Sequence, residues 1–169
     1  RQQNDLLNRI TNTAPSGIMV RNPSGAILFA NTYAQQLLRL TLVDGNPPSY
    51  SAPTWQVKSI DGTAFPEEHL PFRQVLATGQ PVSAVRHAIQ FPDEPPIIIY
   101  ANAAPIFSPN GQIESIVTTI NDITEQVKIQ EALSQERDRA QQYLDIAEVI
   151  LVALDNHGQI SLINSRGCR

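Results

Sequence analysis

Residues 17–31 read Gly17-Ile18-Met19-Val20-Arg21-Asn22-Pro23-Ser24-Gly25-Ala26-Ile27-Leu28-Phe29-Ala30-Asn31. Two short apolar runs, 17–22 and 26–30, flank the turn signature Asn22-Pro23-Ser24-Gly25, so the stretch predicts a β-hairpin. Asn31 then offers a side-chain oxygen to cap a helix that buries Leu37, Leu38 and Leu40.

Working outward, every proline lies before Asn110, and residues 112–157 hold neither Gly nor Pro. The first part is therefore turn-rich and the second unbroken. Residues 43–53, with three prolines, read as loop, and 55–60 as a short extended piece. Residues 67–78 carry Leu70, Phe72, Val75 and Leu76 at helical spacing, with Gly79 as a C-cap and Pro81 beyond it. Residues 82–91, 96–107 and 112–123, joined by Pro- and Gly-bearing turns, predict a three-stranded antiparallel meander. With the first hairpin that makes five strands. Residues 124–148 hold nine charged residues and a narrow apolar seam of Ile129, Leu133, Ala140, Tyr143 and Ala147, which predicts a long, solvated helix in need of a partner.

A shift of 133 residues superposes Ala14 on Ala147, Gly25 on Gly158, Ile27 on Ile160 and Asn31 on Asn164. The chain thus starts the same fold twice. The second start has a hairpin but no covering strands, so residues 149–163 are expected to expose apolar faces and to pair with a symmetry mate or be poorly ordered.

Net charge is −4 with no basic run, which argues against nucleic acid as a partner. No apolar stretch approaches the ~20 residues of a bilayer span. The single cysteine, Cys168, and the lack of a signal-peptide pattern point to a reducing, cytoplasmic setting. The chain reads as a piece of a longer protein.

The string 17–22, then Gly25, Ile27 and Asn31, then Leu70-Pro71-Phe72 through Gly79, then Ala103-Ala104-Pro105-Ile106 with Gly111, and finally Asp122-Ile123-Thr124-Glu125, resembles a PAS domain of bacterial sensory proteins. The resemblance implies an α+β fold, a five-stranded antiparallel sheet in order 2-1-5-4-3 with short helices on one face around a cavity, followed by a long linker helix. The expected layout is an N-terminal helix at 1–13, the PAS domain at 14–124, the linker helix at 125–146 and the truncated start of a second PAS domain at 147–169. It also implies a signalling role, passed through the linker to an output domain such as a histidine kinase or cyclic-dinucleotide enzyme, whose motifs this sequence lacks. A homodimer through the N-terminal and linker helices is expected.

Placing the family's inward strand positions on this sequence points Met19 and Arg21, then Val85, His87 and Ile89, toward the helices. Ile99, Ala101 and Ala103, then Ile116, Thr118 and Ile120, follow the same alternation. The candidate pocket set is these residues without Val85 and Ile116, together with Phe72 and Leu76 of the intervening helix. A buried Arg21 calls for a carboxylate partner or an anionic ligand, so a small anionic or polar molecule held by Arg21, His87 and Thr118 is one reading. The other is that Arg21 reaches solvent and His87 is an ordinary sheet residue. A ligand-free interaction module and a haem-type redox or gas sensor are the rival functions.

Flavin-cysteinyl photochemistry is excluded, because residues 1–146 contain no Cys. Haem would have to use His69 and is not expected. Glu67, Glu68 and His69 are adjacent rather than on one helical face, so no metal or catalytic site is expected. Asp122, Ile123 and Thr124 form the strand-to-helix junction, where Asp122 reads both as an N-cap and as a tie between helix and sheet.

Overall fold

The structure, a computed structural model, describes residues 11–43, 49–51, 55–146 and 152–163. β1 (Gly17–Arg21) and β2 (Ile27–Ala30) form the expected hairpin. Its turn is closed by Asn22 Oδ1, which accepts the Ala26 N–H at 2.9 Å, and by Gly25 at φ 92°. Asn31 caps α1 (Thr32–Leu38), and its Oδ1 accepts the N–H groups of Ala34 and Ile18, each at 2.9 Å. Its Nδ2 donates to the Ser16 carbonyl at 2.9 Å. One side chain, 1% exposed, thus joins the helix start to β1.

Where a loop is expected at 43–53, β3 (Thr41–Val43), which ends at its first residue, pairs with β4 (Ser49–Ser51) within it. The helix expected over 67–78 is also broken. Residues Glu67–His69 form a 3-10 turn, Leu70 is extended, and α2 runs Pro71–Thr78. Pro71 disfavours helical backbone at Leu70 and is itself suited to the first helical position, so the helix starts afresh there. Gly79, at φ 66°, ends it.

β5 (Gln56–Lys58), β6 (Val82–Gln90), β7 (Ile97–Phe107) and β8 (Ile113–Asp122) complete an antiparallel sheet of order β2-β1-β8-β7-β6-β5. The five expected strands stand in the expected order, but the sheet has six. The extra strand, β5, places Val57 opposite Ile89 and covers the edge of β6.

Period-two alternation puts Met19, Ile89, Ile99, Ala101 and Ile120 on the helix-facing side, packed with Ala34, Leu38 and Leu40. A second cluster joins Phe72 and Val75 of α2 to Ala103 and Ile116. Val75 and Ile116 are fully buried, each stabilising the fold by about 1.5–3 kcal/mol.

The chain divides after Thr124 into two units. The second holds α3 (Thr124–Ile146) from Glu125 onward and the hairpin β9 (Val152–Leu154) and β10 (Ile160–Ile163). Its turn repeats the first one: Asp155 Oδ1 accepts the Gln159 N–H at 2.9 Å, and Gly158 takes φ 77°. Val152, Leu154 and Ile160 are exposed, as expected for a hairpin without covering strands. The expected N-terminal helix lies outside the described residues except at 11–13, which are helical, and Cys168 lies outside them altogether. No helix among the described residues is long and apolar enough to cross a membrane.

Candidate functional site

A cavity of about 310 Å³ lies between the helix-facing side of the sheet and the 3-10 turn with the start of α2. Its apolar surface comes from Met19, Ile89, Ile99, Ala101 and Ile120 of the strands, with Leu38 of α1 and Val57 of β5. Phe72 closes one wall beside Leu70 and Pro71. At the rim, the exposed carboxylate of Glu67 pairs with Arg73.

Among the described residues, four buried polar atoms have no hydrogen-bond partner: Arg21 Nε, Trp55 Nε1, His87 Nδ1 and Thr118 Oγ1. All four residues line this cavity. Buried polar groups are ordinarily satisfied, and each that is not costs about 1–3 kcal/mol.

Arg21 ends β1, and its guanidinium carbon sits 5.4 Å from the centroid of the Phe72 ring. Its Nη2 lies 3.8 Å from Met19 Sδ, a weak acceptor. Among the described residues no carboxylate pairs with it, and desolvation lowers its pKa from the ordinary arginine value. The guanidinium nonetheless stays charged, because arginine starts so high. His87 is 5% exposed in β6, and its ring centroid lies 5.2 Å from that of Phe65. Burial pushes its pKa down to about 4, so the imidazole is neutral near pH 7.

Of the residues expected to face the pocket, Met19, Arg21, Phe72, His87, Ile89, Ile99, Ala101, Thr118 and Ile120 line it. Ala103 and Leu76 do not. Ala103 is taken up by the cluster around Val75 and Ile116, and Leu76 packs on that cluster, because α2 presses its second turn onto β7 and β8. His69 is exposed in the 3-10 turn and does not line the cavity. Sequence reasoning missed Trp55, Val57 and Leu38. The one available signal was that Trp55 is the single tryptophan of the chain, in an extended segment.

At the end of β8, Asp122 Oδ1 accepts the Thr124 N–H at 2.8 Å. The tie to the sheet is made by its neighbours: the Ile123 N–H donates to the Ile98 carbonyl at 2.8 Å, and the Ile98 N–H donates to Thr124 Oγ1 at 2.8 Å.

Among solved structures, the chain is similar to an RNA-binding light-oxygen-voltage receptor at 18% identity and TM-score 0.52, covering 83% of this chain and 38% of that one. It therefore spans less than two fifths of that receptor's length. It is also similar to a light-oxygen-voltage domain studied with a flavin analogue, at 13% identity and TM-score 0.50, covering 82% of this chain and 99% of that one. The PAS domain of nitrogen regulation protein NR(II) from Vibrio parahaemolyticus matches at 15% identity and TM-score 0.48, over 70% of this chain and 98% of that one. These likenesses concern the fold. The chain departs from flavin-cysteinyl chemistry in having no Cys in residues 1–146, so no residue of the cavity can supply the thiol. No curated protein matches the chain. The PAS-fold family profile matches residues 5–123, and the chain belongs to the PAS-fold family of sensory modules.

Proposed function

We propose that this PAS module binds a small anionic or polar molecule in the cavity and passes the event through α3 to an output domain. The output belongs to the class of histidine kinases or cyclic-dinucleotide enzymes, and the module itself performs no chemistry. The reading places the module in the cytoplasm.

The observation that carries the reading is the convergence of four unpartnered buried polar atoms on one cavity. A ligand that satisfied them would bridge Arg21 of β1, His87 of β6 and Thr118 of β8, against Phe72 of α2, which lines the same cavity. β8 runs directly into Asp122-Ile123-Thr124, so a shift in how sheet and α2 pack is delivered to the start of α3. Ligand binding then biases two packings of one fold, a population shift rather than a new contact made at a distance. Ile129, Leu133 and Tyr143 are exposed on α3, at 66%, 60% and 74%, and a second copy of the helix is the occupant this seam suits.

Native mass spectrometry of the purified chain tests the reading. A dimer with a reproducible small extra mass, lost from Arg21→Leu, is expected. An unliganded particle that no small acid or polar compound stabilises would move the protein to the class of ligand-free interaction modules, and a monomer would remove the helix-pair transmission.

A further inference from the structure

The chemistry of the cavity narrows its ligand further, resting on the reading of the pocket as a binding site. Arginine offers a carboxylate two parallel N–H groups, and the side-on pair is Nε with Nη2. In Arg21, Nε has no partner among the described residues and Nη2 meets the Met19 thioether at 3.8 Å. The side-on fork therefore has no oxygen acceptor, and its residue lines the cavity. Trp55 Nε1 is a donor only, while neutral His87 and the Thr118 hydroxyl can donate or accept. The set suits a head group made of acceptors.

Charge sets the next limit. Arg21 and Arg73 are the cations lining the cavity, and Arg73 is already paired with Glu67. Among the described residues one unpaired positive charge remains, so a dianionic phosphate monoester would leave about one charge uncompensated against low-dielectric walls. A second carboxylate on the ligand would find only neutral donors, Trp55, His87 and Thr118, beside the apolar Ile89, Ile99, Ala101 and Ile120, and no cation to balance its charge. The volume accommodates the equivalent of about ten waters, hence a ligand on the order of a dozen non-hydrogen atoms.

We infer that the cavity takes a compact monocarboxylate, its head on the side-on fork of Arg21 and its apolar body against the sheet. The same position in the second hairpin is Leu154, so this chemistry belongs to the first hairpin alone.

The 169-residue chain is titrated, by calorimetry and ligand-observed NMR, with phenylacetate and octanoate, with phenyl phosphate and phenylsuccinate, and with the neutral 2-phenylethanol and octanol. Binding is expected for at least one monocarboxylate, with its dianionic and neutral counterparts at least about tenfold weaker. Arg21→Leu is expected to lose about 10- to 100-fold and Arg21→Lys to recover part of it, because an ammonium keeps the charge but not the fork. Thr118→Val, which preserves shape, gives a smaller loss and covers the case in which the Arg21 variants misfold. If phosphate, dicarboxylate or neutral probes bind as tightly, or Arg21→Leu binds unchanged, the monocarboxylate assignment is overturned while the pocket stands as a binding site. If no probe of any class binds, both fall.

Discussion

Thr124 and Ile98 are joined by a 2.8 Å hydrogen bond from the Ile98 N–H to Thr124 Oγ1, which fixes the first residue of α3 to β7. The Ile98 carbonyl accepts the Ile123 N–H at the same distance, so strand and junction share a two-bond clamp. Asp122, exposed, serves the helix start instead, through its bond to the Thr124 N–H.

Thr124→Val removes the acceptor while keeping the shape, and leaves a strand N–H unsatisfied. A loss of about 1–3 kcal/mol is expected, against about 1 kcal/mol for Asp122→Ala and under about 0.5 kcal/mol for Thr124→Ser. Urea denaturation ranks the three, and faster hydrogen exchange at the Ile98 amide identifies the lost bond. Equal costs for Thr124→Val and Thr124→Ser would show that the hydroxyl does not hold the junction.

His87 makes stability depend on pH. Its folded pKa of about 4 lies below the ordinary 6.5, so between those values the unfolded state binds more protons. The His87 contribution is fully present above about pH 6.5 and is lost as pH falls, reaching at most on the order of 3 kcal/mol below about pH 4. Arg21, Glu67 and Arg73 are the charged groups lining the same cavity, and none of them pairs with His87. Denaturation of parent and His87→Gln at pH 7 and at pH 4.5 checks this. The gap between them should shift in favour of the variant at the lower pH.

Arg21 carries a charge with no carboxylate partner among the described residues, held by a ring face and a thioether. Arg21→Leu removes the desolvation penalty and loses a cation–π contact of about 0.5–2 kcal/mol. The net expectation for the unliganded chain is a gain of about 1–2 kcal/mol, read as a higher melting temperature. A variant that melts well below the parent would instead give Arg21 a structural role.

Gly17 is buried where β1 passes under α1. A Cβ there would lie 2.5 Å from Ile120 Cγ1 and 3.2 Å from the Ala34 Cα. Gly17→Ala should therefore cost about 1–3 kcal/mol through overpacking. Adding Ile120→Val frees part of the space and should recover some of the loss, a coupling that a double-mutant cycle measures directly.

Much of the fold follows from local sequence. The Asn22–Gly25 and Asp155–Gly158 turns take the same hydrogen bonds because the same residue types demand them, and Asn31 caps its helix as its side chain requires. Alternation along the strands, phased by the PAS resemblance, placed Met19, Arg21, His87 and Thr118 on the helix-facing side of the sheet. These are short-range matters of backbone preference and side-chain period.

Tertiary structure decided what meets across the sheet. That α2 lays its first turn over the cavity while its second buries Val75 against Ile116 depends on how a helix crosses two strands, which no local pattern states. The sixth strand, a segment with little periodicity of its own, pairs with β6 some thirty residues away, and Val57 of that strand and the adjacent Trp55 line the cavity. Sequence placed Arg21 on the inward face, but only the packing around it could leave its fork without a carboxylate, because partners in a core are chosen by proximity in space rather than along the chain.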